Sequence, residues 1–85
     1  MTKKTLASML TKAGFPTNPN NFWFNRSALS SDSVPFLGGR TNDGIPIYSY
    51  YTLKELGARK RNGYTIKINV EKQYYDIQIW IWWEE

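Results

Sequence analysis

Two groups of side chains in this chain are of types that recognise other molecules. Arg59-Lys60-Arg61 is its densest run of cations, with Lys67 a few residues on, and Trp80 and Trp82 stand two apart near the C-terminal end. Clustered cations neutralise phosphates through counterion release, and an indole face can stack on a base or anchor a protein contact. Both groups also have a plainer use. Cations are favoured at a helix C-terminus by the macrodipole, and a small domain seldom leaves two indoles bare, so a helix or the 22–37 segment is expected to cover at least one of them. Arg59, Lys60, Arg61, Lys67, Trp80 and Trp82 are the candidate partner-binding residues.

Covalent and acid–base chemistry has less to work with. The 85 residues include no histidine and no cysteine. That removes the side chain that titrates near neutrality, the thiolate nucleophile and the two commonest zinc ligands. The carboxylates Asp32, Asp43, Glu55, Glu71, Asp76, Glu84 and Glu85 show no calcium-loop spacing. Ser27, Ser30, Ser31 and Ser33 have no histidine to activate them and no Gly-x-Ser-x-Gly turn around them. Gly38-Gly39-Arg40-Thr41 has the glycines of a phosphate-cradling loop without its Gly-Lys-Ser/Thr ending, and reads as a turn. Asn25-Arg26-Ser27 matches a glycosylation sequon by chance. No catalytic, cofactor-binding or metal-ligating residue is assigned, and the chain reads as non-enzymatic.

The elements that must position these residues follow from periodicity. Leu6, Met9, Leu10 and Ala13 draw one apolar stripe, which predicts a helix over 2–13 with Thr2 as N-cap and Gly14 just past its end. Residues 16–48 are turn-rich and irregular, or form short strands. Phe22-Trp23-Phe24 must be pinned to the core, and Ile45-Pro46-Ile47-Tyr48 suits a short edge strand because Pro46 cannot donate to a ladder. Thr52 and Glu55 have capping-box spacing, so a short helix over 52–60 follows, with Leu53 and Leu56 inward and Gly57 weakening it. Tyr64, Ile66, Ile68 and Val70 alternate with Thr65, Lys67 and Asn69, and Tyr75, Ile77, Ile79, Ile81 and Trp83 alternate with Asp76, Gln78, Trp80 and Trp82. The two segments form an antiparallel hairpin over 64–83, joined by Glu71-Lys72-Gln73, with the isoleucines facing the core and Trp80 and Trp82 opposite. The expected fold is α+β: one domain in which both helices pack on a small antiparallel sheet centred on that hairpin.

Composition bounds the rest. A chain this short has room for one modest core, and its aromatic content of 16% compensates for size with large buried areas. The net charge of +4 permits nucleic-acid binding without demanding it. Met1-Thr-Lys-Lys-Thr-Leu lacks the apolar stretch of a signal peptide, no run approaches a membrane span, and the lack of cysteine suits a reducing compartment. A soluble, cytoplasmic protein with no membrane partner is expected.

From Ile45 to Trp83 the order is a short Ile-Pro strand, a tyrosine-rich step, Thr52-Leu53-Lys54-Glu55-Leu56, Gly63-Tyr64-Thr65-Ile66-Lys67-Ile68 and a closing aromatic strand. In this the chain resembles small accessory proteins of bacteriophages and prophages, in which a T-L-x-x-L helix precedes a C-terminal hairpin. The resemblance covers about half the chain and rests on pattern. It implies a phage accessory protein, in the cytoplasm of a bacterial host, and transfers no catalytic or ligand residue. The leading functional expectation is a binding module that uses the aromatic and basic surface to inhibit or modulate a host protein or defence complex. The alternative reading is a small basic nucleic-acid-binding protein that uses the basic run with Trp80 and Trp82 as stacking platforms. A homo-oligomer built through the C-terminal edge strand is a further expectation.

Overall fold

The computed structural model describes residues 1–25 and 36–85. The described residues form two α-helices against one face of a five-stranded mixed sheet, an α+β architecture. The serine-rich 27–33 run, Asp32 and most of the sequon lie outside the described residues.

Helix α1 spans Lys3–Lys12 and α2 spans Leu53–Arg61. Thr2 caps the first, its Oγ1 accepting from the Thr5 amide at 3.1 Å, and Thr52 caps the second by accepting from Glu55 N at 3.1 Å. Both helices end in the same way. Gly14 and Gly63 take left-handed φ values of 98° and 94°, and the next amide turns back onto the helix: Phe15 N donates to Leu10 O, and Tyr64 N to Arg59 O. This six-to-one closure needs a residue without Cβ strain, which glycine supplies. Gly57 has a different reason to be there. A side chain at that position would collide with Met1, which packs over α2 and donates from its nitrogen to Leu53 O at 3.2 Å.

The strands are β1 (Phe22–Asn25), β2 (Phe36–Arg40), β3 (Pro46–Ser49), β4 (Thr65–Gln73) and β5 (Asp76–Glu84), in the order β1-β2-β3-β5-β4. Every pairing is antiparallel except β3 with β5, which is parallel, so the sheet is larger than a hairpin core and mixed. From β3 the chain rises through α2, lays β4 at the far edge, and returns as β5 into the gap between them. The strand richest in isoleucine and tryptophan thereby takes an interior position, where both of its faces can be used.

Several local expectations change in this context. Gly38 and Gly39 do not form a turn; they lie within β2. A Cβ on Gly38 would stand 2.9 Å from Trp23 Nε1, and one on Gly39 would stand 2.9 Å from both Asn21 O and Phe22 Cδ1. The glycines are seats for the large side chains of β1. β3 is not an edge strand, and Pro46 is tolerated because it opens the strand. Glu71-Lys72-Gln73 belongs to β4, and the hairpin turns at Tyr74-Tyr75, with Gln73 opposite Asp76 and Tyr74 at φ 54°. An edge strand can stay polar while remaining paired, so the polar run there is strand and not connector. β5 is flanked by β3 and β4, so the free edge near the C-terminal end is β4, not the last strand. Lys67, Glu71 and Lys72 on β4 put charge along that edge, which discourages strand addition.

The core joins both helices to one side of the sheet. It contains Leu6, Ala7 and Leu10 of α1, Leu56 of α2, and Phe22, Leu37, Ile47, Ile79 and Ile81 of the strands. The inward stripe of α1 therefore includes Ala7, while Ala13 is exposed. Ser49 is the polar member of this layer. Its hydroxyl donates to Ile81 O at 3.0 Å and accepts from Tyr51 N at 3.1 Å, which removes the penalty of burying it. Among the described residues no helix is long and apolar enough to cross a membrane.

Candidate functional site

Strand alternation divides β5 cleanly. Ile79 and Ile81 point into the helix-side core, so Trp80 and Trp82 point to the opposite face, on which neither helix packs. Tyr48 is the register partner of Trp80 on β3, and their ring centroids lie 5.2 Å apart. Tyr50, just beyond β3, stacks on the same indole at 5.7 Å with an interplanar angle of 24°. Phe36 of β2 continues the row, 6.5 Å from Tyr48. Trp23 of β1 lies across Gly38 at the other end. Each such pair contributes about 0.5–1.5 kcal/mol beyond burial, so the row is an ordered surface.

The row is only partly withdrawn from water. Phe36 is buried but stands outside the helix-side core, Trp80 and Trp82 are half-buried, and Trp23 and Tyr50 are 42% and 51% exposed. Trp80 packs beside two tyrosine rings, those of Tyr48 and Tyr50, rather than under either helix. Its Nε1 is out of contact with water and has no acceptor among the described residues. Trp82 Nε1 donates to Glu84 Oε1 at 3.3 Å, while the other carboxylate oxygen lies 3.8 Å from Lys67 Nζ. Lys67 is the register partner of Trp82, so these three side chains form one polar margin to the aromatic row.

Lys67, Trp80 and Trp82 thus share a face, as the alternation requires. Arg59, Lys60 and Arg61 do not join them, because α2 packs on the other side of the sheet. The Arg59 guanidinium lies 4.9 Å from the Trp83 ring and 5.4 Å from the Tyr64 ring, both on the helix side. Trp83 itself packs against the core and closes on Tyr51, with centroids 3.8 Å apart. A composite site of basic run and indoles is therefore not assembled. Among the described residues the cations on the aromatic face have partners: Lys67 lies 3.8 Å from Glu84, and Arg40 donates to Gly44 O at 3.0 Å.

Other members of this surface were not legible beforehand. Trp23, Tyr48 and Tyr50 join it only once β1 and β3 are placed beside β5. The alternation of Ile47 and Ser49 with Tyr48 and Tyr50 is the signal that could have found two of them. Tyr74 and Tyr75 are fully exposed at the hairpin tip, with Ile77 of β5 40% exposed beside them. They carry no turn signature, since neither is Gly, Asn or Asp.

Among the described residues no group of three or more Asp or Glu side chains is placed to hold a metal. What this geometry offers is stacking and apolar contact. Comparison with protein-family models, with curated proteins and with solved structures finds no match to this chain.

Proposed function

We propose that this protein is a non-enzymatic binding module that docks on a partner protein through its helix-free aromatic face, inhibiting or modulating that partner. The observation that supports this most is that the densest basic run, Arg59-Lys60-Arg61, lies on the side of the sheet opposite the aromatic row. Bases stacked on Trp23, Tyr50 or Trp82 would bring phosphates beside the row, where the described residues offer only Lys67 and Arg40, each already with a partner. Exposed Trp and Tyr with few free charges are instead the residues that dominate protein contacts. The resemblance of residues 45–83 to phage accessory proteins supplies the partner class: a host protein or defence complex of a bacterial cytoplasm.

The test is capture of a partner from host lysate by the immobilised protein, followed by binding of the purified partner to variants. Trp23→Ala or Tyr50→Ala should lower affinity at least tenfold while the melting temperature stays close to native. Joint replacement of Arg59, Lys60 and Arg61 by Ala should leave affinity for that partner within a few fold. Affinity insensitive to both aromatic truncations would overturn the reading.

A further inference from the structure

The charge of this protein is unevenly shared between its two layers. Seven of its eleven Lys and Arg residues lie in α1 and α2, against one acid, Glu55, whereas the five strands hold three charges of each sign. All seven helical cations are exposed, and among the described residues none makes an ion pair. Two have local employment. Lys3 donates to Phe22 O at 3.1 Å, and Arg59 lies over the Tyr64 and Trp83 rings. Among the described residues Lys4, Lys12, Lys54, Lys60 and Arg61 have none.

Four of them, Lys4, Lys12, Lys60 and Arg61, rim one surface. Open grooves flank α1, one lined by Lys4 and Lys12, the other by Thr5 of α1 together with Lys60 and Arg61 of α2. Lys4 and Lys12 are about 12 Å apart along the helix axis, from 1.5 Å per residue. The cations across the second groove widen the field beyond a single helix.

We propose that this outer surface of the helix layer binds the phosphate backbone of a nucleic acid without regard to sequence. It is a second site, on the opposite side of the sheet from the aromatic row, and it stands independently of what that row binds. Flexible cationic side chains spread over two grooves suit a repeating anion, whereas a single anionic group is gripped by convergent donors. A membrane surface would require apolar side chains among the cations. Every large apolar side chain left exposed among the described residues (Trp23, Phe24, Tyr50, Tyr74, Tyr75 and Ile77) belongs to the strands and their turns. The helices bury their leucines in the core. With the two surfaces back to back, the protein can hold a protein and a nucleic acid together, as a nucleoprotein target would present them.

The experiment titrates the full chain against labelled random-sequence duplex and single strand at two salt concentrations, with polyglutamate and phosphatidylserine vesicles as rival polyanions. Four phosphate contacts give a slope near −3.6, so duplex affinity should fall roughly 150-fold between about 50 and 200 mM salt. Lys12→Gln alone should reduce the slope by about one unit, and replacing all four cations by Gln should abolish binding at the lower salt. Trp23→Ala and Tyr50→Ala should leave duplex affinity unchanged. Lack of duplex binding at the lower salt, binding that survives the fourfold substitution, or tighter binding to polyglutamate or to vesicles would each overturn the proposal.

Discussion

Replacing Gly38 or Gly39 by alanine adds one methyl group in either case, but the two methyls meet different neighbours. Neither glycine has a left-handed φ, so alanine suits both backbones. At Gly39 the methyl would stand 2.9 Å from Asn21 O and 2.9 Å from Cδ1 of Phe22, a core ring only 3% exposed. A backbone oxygen and a packed ring cannot both withdraw. Overpacking of this kind costs about 1–3 kcal/mol, and with two rigid neighbours the upper half of that range applies. In a domain of this size that lowers Tm by roughly 8–24 °C. At Gly38 the methyl meets only the Trp23 indole, 42% exposed, with Nε1 at 2.9 Å and Cε2 at 3.2 Å. That ring can swing outward, and the stiffer unfolded chain returns about 0.4–1 kcal/mol, so Tm should move by less than about 4 °C. The displaced ring belongs to the docking face, however, so Gly38→Ala should weaken partner binding much as Trp23→Ala does. Thermal melting of both variants, with affinity for the captured partner, reads all of this. Equal loss of stability in the two variants would refute the β1–β2 register, and native affinity in Gly38→Ala would remove Trp23 from the surface.

Ile79 is fully buried against Ile47 and Val70, so Ile79→Asp should unfold the domain, an unpaired buried charge costing several kcal/mol of a total near 5–15. Gln78→Lys, one residue away and facing Glu71, should melt as native does; circular dichroism on both would expose an error in the face assignment. Ser49→Ala strands the Ile81 carbonyl and the Tyr51 amide and should cost about 1–3 kcal/mol in urea unfolding, with a loss under about 0.5 kcal/mol arguing against that bridge. Tyr74→Gly relieves a left-handed backbone worth about 1–2 kcal/mol while removing no packing, since the ring is fully exposed. A higher denaturation midpoint is expected, and a lower one would show that the ring makes contacts.

Local pattern alone carried both helices, their threonine caps, the glycine closing α1, and the two alternating segments of the C-terminal hairpin with Ile79 and Ile81 inward. Each depends on interactions within a few residues, or on a period that solvent and core impose directly. The α+β class followed from the same signals. What lay out of reach depended on partners distant in the chain. Gly38 and Gly39 look like a turn until Trp23 and Phe22 are laid across them, and Pro46 looks like an edge residue until β5 pairs beside it. The hairpin turn could not be found because Tyr74 and Tyr75 are poor turn residues and the polar stretch before them is an edge strand. For the functional surface the limit was sharper. Alternation placed Trp80 and Trp82 on one face together with Lys67, but only the packing of α2 determined that Arg59, Lys60 and Arg61 stand on the other side. Side-chain direction along a strand is a local property; which face of a sheet a helix covers is decided by the whole core at once.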